Sequence, residues 1–107
     1  MYRQPDEVIE IVEAALRRLS EHIPVSAAYI FGSYAEGTAG EHSDIDLAVF
    51  SVAADNMNIE ERIDFLVRME NNMDAAVEIH LYPEAALRQA RPTNIFGHII
   101  ATGKKVA

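Results

Sequence analysis

The sequence predicts a mixed α/β (α+β) domain, a small mixed β-sheet packed with helices. Three observations predict it. Hydrophobic spacing switches repeatedly between helical and strand periods along the chain. The 107 residues suffice for one core but not two, so a single domain over 1–107 is expected. Half of the residues are apolar and 24% are charged, the composition of an ordinary globular domain.

The elements follow in order. Val8, Ile11, Val12, Ala15, Leu16 and Leu19 recur at helical spacing and predict an amphipathic helix over residues 5–21. Pro5 suits its first turn and Pro24 prevents its continuation. Val25 to Phe31 is short and apolar, ends at Gly32, and reads as a buried strand. Gly32-Ser33 opens a short helical element to about Ala35, and Gly37, Gly40 and Ser43 mark a loop.

Asp44 to Phe50 is the second expected strand. Alternation sets Asp44, Asp46, Ala48 and Phe50 on one face, with Ile45, Leu47 and Val49 on the other. Asn58 and Glu61 are spaced as an N-cap and its box partner. Ile59, Ile63, Leu66, Val67 and Met73 are the expected buried stripe of the helix they open. Ala75 to Tyr82 alternates again, with Glu78, His80 and Tyr82 on its polar side. Pro83 begins a short helix to about Ala90, a second covers Thr93 to Thr102, and Lys104-Lys105-Val106 follows Gly103 as an edge strand. Tyr29, Phe31, Phe50, Phe65 and Phe96 are expected in the core.

Seventeen acidic against nine basic residues give a net charge of −8. That argues against non-specific nucleic-acid binding, which needs a cationic face. It suits a protein that holds cations or meets a basic partner. The absence of cysteine removes disulfides, Cys-ligated zinc and thiol nucleophiles. No signal-like segment or long apolar run is seen, so a cytoplasmic protein with no membrane partner is expected.

The chemistry concentrates in Phe31-Gly32-Ser33-Tyr34-Ala35-Glu36-Gly37 and Ser43-Asp44-Ile45-Asp46-Leu47-Ala48-Val49. Carboxylates at i and i+2 on a strand project from one face, roughly 6.6 Å apart along the chain. Such like charges repel, and a cation relieves the repulsion. Mg²⁺ is commonly held by one or two carboxylates together with substrate phosphates. Gly32 lets phosphate oxygens approach the backbone, and the Ser33 hydroxyl and nearby N–H groups can bond them. A phosphate cradle on one strand end and a carboxylate pair on the next suit a nucleoside triphosphate bound with Mg²⁺.

Gly32-Ser33, ten intervening residues, then Asp44-Ile45-Asp46 resembles the signature of the DNA polymerase β-like nucleotidyltransferase superfamily. The longer string resembles its minimal single-domain branch, the MNT-domain proteins, over nearly the whole chain. The resemblance implies a nucleotidyltransferase fold. It implies that Gly32 and Ser33 bind the nucleotide and that Asp44 and Asp46 are catalytic metal ligands. The family's third carboxylate, usually an aspartate on the third strand, is replaced here by Glu78 within Val77-Glu78-Ile79. Glu78 is accordingly expected as a metal ligand or as the base that accepts the acceptor's proton. Glu36 stands where many relatives carry a basic residue, and is expected to point away or to pair with Arg88 or Arg91. His42 reads as a loop histidine near the pair, His80 as a candidate for the site rim beside a plain strand-face reading, and Tyr34 as packing beneath the nucleotide or in the core.

The resemblance further implies a function. Minimal members resemble antitoxins of MNT/HEPN toxin–antitoxin systems, in which AMP passes from ATP to a tyrosine of the HEPN ribonuclease. The expectation is a Mg²⁺-dependent protein adenylyltransferase in a hetero-oligomer with a HEPN-type toxin. Two alternatives stand beside it. One is a catalytically weak module that neutralises its partner by covering it. The other is transfer to a small-molecule acceptor.

Overall fold

The computed structural model describes residues 4–40, 43–70 and 73–107. Helix α1 spans Pro5–Ser20, with Pro5 in its first turn, Asp6 and Glu7 at its start and Arg17 and Arg18 at its end. That charge order complements the helix dipole. Strand β1 is Ala27–Phe31, helix α2 is Ser33–Glu36 and strand β2 is Ile45–Ser51. A 3-10 turn over Val52–Asn56 leads to helix α3, Ile59–Glu70. Strand β3 is Val77–Pro83, helices α4 and α5 are Ala85–Arg88 and Ile95–Thr102, and strand β4 is Lys104–Lys105.

The strands form one sheet of order β3-β2-β1-β4. β2 pairs antiparallel with β1 and parallel with β3, while β4 pairs antiparallel with β1. The parallel pair needs a crossover, and α3 supplies it. This is the expected mixed sheet with packed helices.

The pleat sorts side chains onto two faces. On one, Ala28, Ile30, Ile45, Leu47, Val49, Val77 and Leu81 pack with Val8, Val12, Ala15, Leu16 and Leu19 of α1 and Met69 of α3. On the other, Ala27, Ala48 and Phe50 pack with Ala86 of α4 and Ile99 of α5. Phe50 is fully buried, while Tyr29, Phe31, Phe65 and Phe96 are partly buried at the edges of the two clusters.

Several local readings hold. The Asn58 side chain accepts from Glu61 N–H at 2.8 Å, and Glu61 accepts from Asn58 N–H at 3.0 Å, forming the capping box of α3. Others shift. β1 starts at Ala27, although Ser26 N–H already donates to Phe50 O. Ahead of β3, Asp74 Oδ1 accepts from Ala76 N–H and makes a turn of what alternation alone reads as strand. Pro83 ends β3 instead of opening a helix. It sits on an edge strand, where a missing N–H is tolerated. The open side of that edge is partly closed by Arg62, whose Nη1 donates to Leu81 O at 3.2 Å.

The predicted stripe of α3 needs correction. Ile59, Ile63 and Val67 are exposed, whereas Phe65, Leu66 and Met69 turn toward the sheet. At about 100° per residue, the apolar arc of this helix is nearly 200° wide. A single sheet face covers only half of it. No helix among the described residues is long and apolar enough to cross a membrane.

Candidate active site

The site is built at the N-terminal end of β2, on the sheet face that α4 and α5 cover farther along. The parallel register sets Asp46 beside Glu78 and Ala48 beside His80. The antiparallel register sets Phe31 beside Asp46, so the chain turns at Gly32 against the second aspartate.

Gly32 has φ 74° and ψ −150°, a backbone region essentially reserved for glycine. A Cβ there would lie 2.5 Å from Asp46 Oδ2. The conformation demands glycine, and a larger residue would also push the Asp46 carboxylate aside. Ser33 is the first residue of α2, so its N–H lies outside the helix's own ladder. Gly32 O accepts from Ala35 N–H and Glu36 N–H at 3.1 and 3.0 Å, which fixes the turn. Gly37, at φ 77°, ends the helix in the left-handed conformation.

Asp46, Glu78 and His80 come together. Their ligand atoms all lie within 4.8 Å of one another. His80 Nε2 is 3.4 Å from Asp46 Oδ1 and 3.9 Å from Glu78 Oε1. Asp46 and His80 are 27% and 31% exposed and Glu78 is 58% exposed, so the cluster opens to solvent. Asp44 stands outside this tight set. It is exposed just before β2 and lines an open groove with Glu70, Asp74 and Glu78.

Farther along the same face, Tyr82 packs on Phe50 and Phe96, with ring centroids 5.5 and 5.2 Å apart. Burial raises the pKa of its phenol above the ordinary value. The Arg62 guanidinium opposes the shift and the Asp46 carboxylate adds to it.

The remaining candidates fall elsewhere. Tyr34 packs against the α1 side of the core. Glu36 is exposed at the end of α2, while Arg88 pairs with Glu84 at 3.8 Å and Arg91 donates to the carbonyls of Arg88 and Ala90. Neither arginine is drawn to Glu36. His42 lies outside the described residues. The sequence places His80 at the rim, and the structure sets it against two carboxylates. The available signal was its i+2 spacing from Glu78.

Two carboxylates and an imidazole this close form a donor set for a divalent cation. Gly32 leaves Asp46 Oδ2 uncovered on the side where a side chain would lie. The residues present therefore fit a metal ion at the mouth of the turn.

Comparison with known proteins places the fold in a family. The family model described as polymerase beta, nucleotidyltransferase, matches residues 13–107. The protein adenylyltransferase MntA of Shewanella oneidensis is 34% identical over 65 residues, which cover 60% of this chain and 45% of that protein. The chain thus matches less than half the length of that relative. MJ1215 of Methanocaldococcus jannaschii, a candidate protein adenylyltransferase, is 36% identical over 74 residues, covering 68% of this chain and 83% of that protein. Among solved structures, a candidate nucleotidyltransferase from Sulfolobus solfataricus has a TM-score of 0.65 at 21% identity, covering 78% of this chain and 73% of that one, a likeness of fold. A chain of a toxin-antitoxin crystal structure with AMP-PNP has a TM-score of 0.59 at 28% identity, covering 87% of this chain and 69% of that one.

Proposed function

The chain belongs to the polymerase beta nucleotidyltransferase family, and from that premise we propose that it transfers AMP from ATP to a tyrosine hydroxyl of a partner protein. The partner is a HEPN-type ribonuclease toxin, and the transfer makes this chain its antitoxin. The observation that carries the reading is the seat of Gly32 against Asp46 beside Glu78, which joins a phosphate turn to a metal-binding pair. Curated relatives named as protein adenylyltransferases support the reaction, and the toxin-antitoxin neighbour with AMP-PNP supports the partner and the nucleotide.

Each residue has a role in this reading. Ser33 and the backbone at Gly32 bind the triphosphate. Asp44 and Asp46, with Glu78 as a further ligand or as the base, would hold Mg²⁺, which when bound would supply charge neutralisation at the phosphates and orientation of the attacking oxygen. The acceptor oxygen forms a bond to the α-phosphorus as the bond from that phosphorus to the pyrophosphate oxygen breaks. Glu78, the most exposed of the clustered carboxylates, accepts the hydroxyl proton. Positioning and electrostatics supply the catalysis, as in phosphoryl transfer generally.

The test is intact mass spectrometry of the protein that co-purifies with this chain from its own host, before and after ATP and Mg²⁺. A partner that gains AMP with the wild type but not with Asp44→Asn supports the assignment. A partner held stoichiometrically without mass gain points to a module that acts by covering. Transfer to a small molecule in the absence of any partner moves the acceptor assignment.

A further inference from the structure

We propose that His80 is itself a metal ligand, completing an Asp46–Glu78–His80 set that prefers a first-row transition ion such as Mn²⁺ to Mg²⁺. The inference rests on the reading of Asp46 and Glu78 as ligands and adds a nitrogen donor to it.

Three observations carry it. The first is spacing. Ligand atoms about 2.1 Å from one ion stand about 3.0 Å apart at a right angle and about 4.2 Å apart when opposite. His80 Nε2 lies 3.4 Å from Asp46 Oδ1 and 3.9 Å from Glu78 Oε1, inside that interval for both. The contact with Asp46 is a long hydrogen bond, looser than a close charge-assisted one of about 2.7–2.9 Å, so the pair can part around an ion. The second is placement. The register partner of His80 is Ala48, whose small side chain leaves room for the ring beside Asp46. The third is orientation. Phe31 meets the imidazole edge-on, with ring centroids 5.1 Å apart at 66°, which supports the ring with Nε2 turned to the carboxylates.

The donor chemistry sets the metal class. Mg²⁺ takes oxygen ligands almost exclusively, whereas imidazole suits first-row transition ions, of which Mn²⁺ is the weakest binder and also accepts the carboxylates. Adding a neutral nitrogen to two carboxylates therefore tilts the site away from Mg²⁺.

The experiment titrates Mn²⁺ alone into the whole chain, followed by electron paramagnetic resonance, with Mg²⁺ as competitor. Bound Mn²⁺ is expected to show ¹⁴N modulation in the pulsed spectrum. His80→Phe keeps a ring against Phe31 but offers no donor. It should remove the modulation and weaken Mn²⁺ binding by at least about tenfold, since even outer-shell partners cost roughly 10–100-fold. His80→Asp should restore binding while Mg²⁺ becomes the better competitor. Circular dichroism without metal checks that each variant folds. If His80→Phe does not fold, the wild-type ¹⁴N signal and His80→Asp decide. Absence of ¹⁴N modulation overturns the proposal. So does equal or tighter Mn²⁺ binding by His80→Phe, which would make the imidazole a built-in counter-ion. Unchanged binding by Asp46→Asn, or no Mn²⁺ binding by the wild type, would overturn the underlying ligand reading as well.

Discussion

One face of one sheet carries two different regions. At its open end, Asp46 and Glu78 stand in register with Phe31 and reach solvent. Four residues along the same strands, the row Ala27–Phe50–Tyr82 is aromatic and sealed by Phe96. Between them, Tyr29, Ala48 and His80 share a row that belongs partly to each. The pleat and twist are common to both ends, so backbone geometry does not distinguish them. The difference lies in cover: α4 and α5 close one end, while the turn at Gly32 and the open groove lined by Asp44, Glu70 and Asp74 border the other. An uncovered row can keep charges wet enough to stay ionised while a rigid neighbour holds their spacing.

Substitutions can break this comparison or sharpen it. The largest effect is expected at the open end. Asp46→Asn should lower AMP transfer by more than about 100-fold, beyond the roughly 10–100-fold of outer-shell losses. It should leave the melting temperature equal or higher, because it removes like-charge repulsion beside Glu78. A transfer assay with a thermal melt separates the two readouts, and wild-type transfer rates would sink the assignment. At the sealed end the pattern inverts. Phe50→Ala should cost about 3–5 kcal/mol in urea unfolding, because a fully buried aromatic leaves a cavity.

Gly32→Ala acts at the open end through the turn that borders it. The positive φ costs about 1–3 kcal/mol. The added methyl also displaces the Asp46 carboxylate, so stability and Mn²⁺ binding should fall together. The smallest effect is expected at Tyr82. Its folded-state pKa is raised above the ordinary value, so the folded state holds the phenolic proton more tightly than the unfolded chain does. That contribution is fully present below about pH 10 and is lost as pH rises through the folded value. Tyr82→Phe should flatten the alkaline decline of the melting temperature above pH 10 and change little at neutral pH.

Much of this was legible in the sequence because period and face are local properties. Alternation from Ile45 to Phe50 and from Val77 to Tyr82 set the two faces correctly, while Asp44, expected in the second strand, lies just ahead of it. The Asn58–Glu61 box marked the start of α3. What sequence could not supply was cover. Ile59, Ile63 and Val67 have the spacing of a buried stripe, and only the finished packing leaves them outside while Phe65, Leu66 and Met69 turn in. The site divides in the same way. The spacing of Gly32, Asp44 and Asp46 is visible in the string, but the approach of His80 to Asp46 depends on the register between β2 and β3. Nothing local to either strand encodes that register.

The crossover has a consequence for the order in which the molecule becomes whole. β1 and β2 are neighbours in sequence and bring Gly32 to Asp46 without help from the rest of the chain. Glu78 and His80 arrive only after α3 has spanned the sheet and β3 has docked in parallel, a slower event because a longer loop must close. A partly folded chain thus has half a site and no means of gripping an ion with all three side chains. Added Mn²⁺ should raise the midpoint of unfolding with concentration and slow amide exchange most in β3. A bound ion would then act as a latch that holds β3 to β2.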